Sequence, residues 1–188
     1  MQNHTVTQTI ETARLILRPF KKDDFEAVHS YASVPENVKY MVWGPNDEEA
    51  TRKFLSGCEE KWRTQPIYEY DFAIVSKSDI KVIGGCGIYL NKERTEAMLG
   101  WILHRDYWKQ GLMVEAASEL LRFGFEELKL HRIYSTCSTE NYGSYRVMEK
   151  LGVRREAHFL KNRFGRLNNE KKWYDEYHYA MLEDDWAI

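Results

Sequence analysis

Along this chain the spacing of hydrophobic residues switches repeatedly between two and about four, and each switch marks an element. Arg14 to Arg18 alternates as a strand, and Pro19, which has no amide proton, ends it. Lys22-Asp23-Asp24-Phe25-Glu26-Ala27-Val28 then opens a helix, with acids in the first turn where the helix dipole favours them. A second helix is predicted from Asp47, its cap, to Arg63. Ala50, Phe54, Cys58 and Trp62 recur every fourth residue and are expected on one face. Three strands follow as a meander, Tyr70 to Ser76, Lys81 to Leu90 and Glu96 to Leu103, with turns at Ser78-Asp79 and from Asn91 to Arg94.

From Leu103 to Leu130 a strand end passes through a polar, glycine-containing loop into a strong helix. Met113, Ala117, Leu120, Leu121, Gly124 and Leu128 form its expected buried stripe, while Glu115, Glu119, Arg122, Glu126 and Glu127 face water or loops. A smaller copy of the same order follows. Arg132 to Ser138 reads as a strand, Asn141 caps a helix that continues through Ser144 to Leu151, and Gly152 stops it. Arg154 to Leu160 and Lys172 to Leu182 form a final hairpin, with the charges from Lys161 to Lys172 read as its solvated loop. The resulting order is β-α-α-β-β-β-α-β-α-β-β. Its two strand-helix-strand crossovers imply an α/β fold with a mixed central sheet and helices on both faces.

The loop entering the central helix is the strongest chemical feature. Amides entering a helix have no intrahelical partner and lie at the positive end of the dipole, so those from Lys109 to Val114 can hold an anion without a charged side chain. Gly111 is the expected hinge, able to take a positive φ and admit a bulky ligand close to the backbone. Taken alone, a lone glycine in a strand-to-helix connection is equally an ordinary turn.

Composition narrows the rest. At 188 residues the chain fits one domain, residues 1–188 with a core from about 12 to 184, large enough to bury a core without staples. A net charge of −2 leaves no basic excess for nucleic acid or an anionic membrane surface. No run is long and apolar enough to span a bilayer and no signal peptide opens the chain, so a cytoplasmic protein is expected. Three cysteines, Cys58, Cys86 and Cys137, lack paired spacing and are expected to be reduced; the six histidines are scattered and no metal site is expected. Monomer and homodimer both stay open.

Thr12-Ala13-Arg14-Leu15-Ile16-Leu17-Arg18-Pro19, Tyr107-Trp108-Lys109-Gln110-Gly111, Glu115-Ala116, His131-Arg132-Ile133, Asn141 with Ser144, Glu149-Lys150-Leu151-Gly152 and Tyr179-Ala180-Met181-Leu182 before Trp186 appear in an order that covers nearly the whole chain. In that order the chain resembles the GNAT superfamily of acetyl-CoA-dependent N-acetyltransferases, and within it the RimJ and RimL branch that acetylates ribosomal-protein N-termini. The resemblance implies the GNAT fold and transfer of an acetyl group from acetyl-CoA to a primary amine, on a protein N-terminus or a small molecule, by direct attack in a ternary complex. It places the pyrophosphate on the segment Trp108, Lys109, Gln110, Gly111, Leu112, Met113 and Val114, and pairs the pantetheine arm with the backbone of Trp101, Ile102 and Leu103 and with Asn141. Trp108 and Met113 depart from the family's usual loop pattern; Met113 needs room where relatives keep a small residue, so either the helix stands off or the thioether packs against the ligand.

Acetyl transfer to an amine makes three demands: loss of a proton by the nucleophile, a donor for the oxyanion and an acid for the departing thiolate. The resemblance implies a backbone amide near Ile102 as oxyanion donor. Met148 stands where many relatives have a tyrosine acid, and Ser144, one helical turn earlier, is the candidate donor to the sulfur; its other reading is a second capping hydroxyl. Met98 stands where relatives of this branch often carry glutamate. Glu96, two residues back on the same strand face, is the candidate base, and it also reads as an ordinary acid beside Arg94, with the proton then leaving through water. Cys137 invites an acetyl-cysteine route, but no histidine is placed by sequence to activate it. Tyr174 and Asp175, with Glu156, match positions that brace the hairpin. Tyr31, Tyr40, Trp43, Trp62, Tyr68 and Tyr70 either line an acceptor mouth or pack the helical layer. The methionines at positions 98 and 148 also keep a second class open, a non-catalytic acyl-CoA-binding protein.

Overall fold

A computed structural model describes residues 8–167 and 170–186. Every strand expected from the alternating stretches forms: β2 (Leu15–Pro19), β3 (Glu69–Ser76), β4 (Lys81–Leu90), β5 (Glu96–Leu103), β6 (Arg132–Ser138), β7 (Arg154–Leu167) and β8 (Glu170–Leu182). A two-residue strand, β1 (Ile10–Glu11), precedes them. The helices are α1 (Phe25–Ala32), α2 (Pro35–Val38), α3 (Glu48–Arg63), α4 (Leu112–Arg122), α5 (Tyr142–Lys150) and α6 (Glu183–Trp186). The short β1, α2 and α6 carry too few residues for a periodic signal.

The strands form one sheet in the order β1-β2-β3-β4-β5-β6-β8-β7, antiparallel throughout except between β5 and β6. Both expected crossovers are present. The second returns not beside β6 but one strand further out, because β8 enters between β6 and β7. Alternation assigns the two faces. Phe72 and Ile74 of β3 join Leu15, Leu17, Ile88 and Leu99 beneath Met113, Ala116, Leu120 and Leu121 of α4. Ala73 and Val75, between them in sequence, point the other way and pack with Val28 and Tyr31 of α1 and Leu55 and Cys58 of α3. Each fully buried leucine or isoleucine contributes roughly 1.5–3 kcal/mol, so the sheet is fixed from both sides.

Three expectations are corrected. The buried stripe of α3 is Thr51, Leu55 and Cys58 with Trp62 behind, whereas Ala50 and Phe54 are exposed. Steps of four drift about 40° per turn around a helix of 3.6 residues per turn, so an unbroken every-fourth pattern slides off the buried face. The central helix stops at Arg122 and widens into a π turn, Phe123–Glu127, which buries three successive residues, Phe123, Gly124 and Phe125, and leaves Leu128 beyond the helix. The charges from Lys161 to Leu167 and from Glu170 to Lys172 stand on strands rather than in a loop. Strands β7 and β8 run on to Leu167 and Glu170 as a long ribbon. Asp175 braces that ribbon as expected, accepting hydrogen bonds from the Lys161 amide at 2.8 Å and from His158 Nε2 at 3.3 Å beside a register shift. Among the described residues no helix is long and apolar enough to cross a membrane.

Candidate active site

Parallel pairing between β5 and β6 lasts for three residue pairs, Glu96 with Arg132, Ala97 with Ile133 and Met98 with Tyr134. Ser135 Oγ then donates to the Leu99 carbonyl at 2.9 Å, and beyond that clasp the strands part, β5 held by β4 and β6 by β8. Hydrogen bonds from Asn91 N to Glu96 O and from His104 N to Ile83 O fix the phase of the β4–β5 ladder. In that phase the even-numbered residues of β5 bond to β4, and the backbone groups of Leu99, Trp101 and Leu103 turn toward the opening. The Leu103 carbonyl is taken by Trp108 Nε1 at 2.7 Å and Asn37 Nδ2 at 2.9 Å. Of the three strand residues expected to offer backbone to a ligand, Trp101 therefore does so fully. Ile102 faces Gly85 of β4, and the open amide near it is that of Trp101.

At the C-terminal end of this wedge lies the helix entry. Gly111 takes φ +77° and caps α4; Glu115 N bonds back to Gly111 O at 3.1 Å, so the amides of Leu112, Met113 and Val114 precede the first intrahelical bond. Arg14 ties the loop down, donating from Nη1 to the Gln110 carbonyl at 3.0 Å and from Nε to Glu115 at 2.6 Å. Burial opposes ionisation of Glu115, but hydrogen bonds from Thr12 and from the Arg14 amide and guanidinium outweigh it and hold its carboxyl below the usual range. Lys109 also takes a positive φ, +62°, which turns the chain toward the helix. Met113 is 7% exposed. Its side chain is buried in the α4 core, and the departure at Trp108 is what clips the loop to β5.

Above the other face of the sheet, beneath α1, α3 and the segment from Tyr40 to Asn46, a cavity of about 680 Å³ opens onto the wedge. That is a size typical of small-molecule sites. Met98, Gly100 and Ile102 form part of its floor, Ser135 to Ser138 and Asn141 one wall, and Tyr40, Trp43 and Phe54 its mouth. The six aromatics singled out by sequence divide. Tyr31, Tyr40 and Trp43 line the cavity; Trp62 packs edge-on against Tyr70 and Phe72; Tyr68 lies outside beneath Arg94.

Ser144 lines the cavity in the first turn of α5. The cap of that helix is Asn141 Oδ1, which accepts from Ser144 N at 3.2 Å, so the serine hydroxyl is not the capping group. Met148 is core, 1% exposed and lining a small void with Trp101 and Leu121. Glu96 is not brought to Ser144: it stands on the Met98 face but outside the cavity, its backbone held by Asn91. Cys137 is buried, and burial, helped by Glu176, pushes its thiol up to about 12.

Two buried acids in the cavity were not singled out by sequence. Asp71, 5% exposed, accepts from Tyr89 Oη at 2.7 Å and from Lys61 Nζ at 2.9 Å. Burial would discharge Lys61, but hydrogen bonds to Glu69 and Asp71 hold its pKa above the ordinary value. Burial and the Asp71 charge both raise the Tyr89 phenol. Across the cavity Glu176 accepts from Asn162 at 2.8 Å and Arg163 at 3.0 Å; burial opposes its ionisation, and these partners still hold it below the usual range. Asp71 had a legible signal, an acid inside an apolar run where seven of eight strand residues are buried. Glu176 had none, because its hairpin partners depend on the long ribbon.

This geometry has counterparts. The sequence profile of the family described as acetyltransferase (GNAT) domain matches residues 14–154. An uncharacterized N-acetyltransferase of Bacillus subtilis strain 168, YnaD, is 34% identical over 177 residues, covering 94% of this chain and 98% of its own. A crystal structure of a GNAT-family acetyltransferase from Bacillus anthracis superposes with a TM-score of 0.81 at 36% identity, over 94% of this chain and 99% of that one. The apo structure of RimL, the ribosomal L7/L12 α-N-protein acetyltransferase, shares the fold at a TM-score of 0.80 and 18% identity, over 93% and 94%.

Proposed function

The chain belongs to the acetyltransferase (GNAT) domain family and is an acetyl-CoA-dependent N-acetyltransferase, and from that premise we propose that it acetylates a primary amine by direct attack in a ternary complex. The acceptor is a small-molecule amine or a protein N-terminus, and the protein works as a monomer or homodimer in the cytoplasm. The observation that carries the reading is the wedge: an unpaired Trp101 backbone, free amides at the start of α4 and the Ser144 side of α5 meet at one opening that continues into an acceptor-sized cavity. A non-catalytic acyl-CoA carrier would have no use for that second cavity.

Acetyl-CoA supplies the thioester, and the residues of the chain divide the remaining work. Amides from Lys109 to Val114 receive the pyrophosphate, their loop held in place by the Arg14 bonds to Gln110 and Glu115. Trp101 N–H donates to the carbonyl oxygen as negative charge gathers there, the preorganised donor acyl transfer needs. Asn141 and the Trp101 backbone orient the pantetheine arm, and the Ser144 hydroxyl donates to the sulfur as it leaves. The aromatic mouth of Tyr40, Trp43 and Phe54 receives the body of the acceptor. Cys137 takes no part, since a buried thiol whose pKa is raised is a poor nucleophile at neutral pH.

Incubating the protein with acetyl-CoA and a panel of small amines and N-terminal peptides, read by release of free thiol, tests the activity. Initial-rate plots with both substrates varied should intersect, and Cys137→Ala should keep substantial activity. Parallel plots, or an acetylated Cys137 peptide trapped without acceptor, would overturn the ternary mechanism.

A further inference from the structure

We propose that Tyr89 and Asp71 form the route by which the acceptor ammonium loses its proton, Tyr89 touching the amine and Asp71 acting through it. The inference rests on the acetyl-transfer reading and deepens it by assigning the base.

Position carries the argument. Asp71 is the register partner of Gly87, and Gly87 of Gly100, so the three lie in one row across β3, β4 and β5. Two strand spacings separate its ends, roughly 10 Å. Both glycines leave the cavity face bare, and the Tyr89 side chain fills the space. A Cβ on Gly87 would lie 2.5 Å from Tyr89 Oη and 3.1 Å from Asp71 Oδ1, and one on Gly100 would lie 3.3 Å from Tyr89 Cε2. The phenol thus bridges from the carboxylate to the backbone of Gly100, the residue before Trp101. A carbonyl seated on the Trp101 amide has Tyr89 and Asp71 on its acceptor side.

The other groups near the cavity suit the task less well. Glu176 stands on the far wall, on β8, with its carboxylate bound by Asn162 and Arg163 and weakened as a base. Glu96 is outside the cavity. The groups facing Asp71 are Lys61 and Cys58 from α3 and Tyr89 and Cys86 from β4, with Glu69 on its own strand reached through Lys61. Lys61 Nζ donates to the Asp71 carboxylate, and the two thiols, raised by burial, stay neutral.

The proton transfer balances without a phenolate. The ammonium donates an N–H to a lone pair of Tyr89 Oη, which already donates its own proton to Asp71 Oδ1. As the first proton moves to Tyr89, the second moves to Asp71; ammonium becomes amine and carboxylate becomes carboxylic acid. The amine lone pair then forms the C–N bond and the C–S bond breaks. The surplus proton on nitrogen passes to the departing sulfur, and Asp71 returns its proton to water.

Tyr89→Phe and Asp71→Asn in the full chain test this, with kcat/KM for the acceptor measured across pH and across primary amines of falling basicity. Tyr89→Phe keeps the ring that fills the glycine floor, so it stays informative if Asp71→Asn folds poorly. For an alkylamine near neutral pH both variants should lose ~100-fold or more, the usual scale of general-base catalysis. The loss should shrink toward parent values as pH exceeds the amine pKa, or for amines already neutral at the assay pH, with KM for acetyl-CoA unchanged. Glu96→Gln should behave as the parent. A loss equal for all amines and all pH values, or none, would overturn the proposal by making the pair structural. A parent protein that releases no thiol with any amine would overturn the acetyl-transfer reading itself, and this inference with it.

Discussion

Ser144 and Met148 sit one helical turn apart on the same inward face of α5, the first lining the cavity and the second buried in the core. The Asn141 side chain already accepts from the Ser144 amide at the cap, and Ser144 lines the cavity. Ser144→Ala should therefore lower kcat more than it raises KM for acetyl-CoA, because the contact strengthens only as the sulfur gains charge. Steady-state kinetics check this, and an unchanged kcat with a lowered melting temperature would count against it. Asn141→Ala should do the reverse and cost ~1 kcal/mol of stability, measured by denaturant unfolding. At this scale the sequence was informative about groups carried by local motifs, the Gly111 loop and the Asn141 cap. It said little about Tyr89 or Glu176, whose partners come from other strands and become neighbours only through register.

Helix α3 shows what periodicity can and cannot decide. Its start was legible because Asp47 caps it, accepting from Ala50 N at 2.8 Å, but its buried face was misjudged by about one residue. The face carrying Ala50, Phe54 and Gly57 turns to the cavity instead, and apolar residues serve either surface. The two faces should separate under mutation. Leu55→Ala, which empties a fully buried site, should cost ~2–5 kcal/mol, whereas Phe54→Ala should leave stability nearly unchanged and raise the acceptor KM. Thermal unfolding and acceptor titrations distinguish the outcomes, and a large stability loss at Phe54 would contradict the assignment of faces. The extension of β7 and β8 escaped the sequence for a related reason: a ribbon exposed along much of its length has the composition of a loop.

For the whole molecule, the strand order up to β6 follows from hairpins, the helical connection between β2 and β3 and one crossover, all of which leave local marks. The entry of β8 between β6 and β7 leaves none, since it is a choice of neighbour between strands far apart in sequence. That choice brings Glu176 into the cavity opposite Asp71 and makes the fold dependent on ionised acids. The carboxyls of Glu115 and Glu176 are both held below their ordinary range in the folded state. A depressed folded pKa gives stability that is complete above the unfolded value, about 4.3 for glutamate, and lost as pH falls through the folded one. Chemical denaturation at stepped pH should show stability falling below about pH 4.3, less steeply in Glu115→Gln. A variant with the parent's pH slope would remove Glu115 from the account.

The clasp between Ser135 and Leu99 has a mechanical meaning. Three residue pairs, the bonds from His131 N and Arg132 N to Thr95 O at their start and that one side-chain bond join the strands β1 to β5 to the strands β6 to β8 at this seam, so the sheet resembles two boards fastened at one end. A molecule lying in the gap would be the missing stitch, and saturating ligand at 100 times its Kd adds about 2.7 kcal/mol of stability. Coenzyme A should accordingly slow amide exchange on both lips of the seam together, residues 99 to 103 and 135 to 138, with little effect at β1. Slowing on one lip alone would mean the boards move independently.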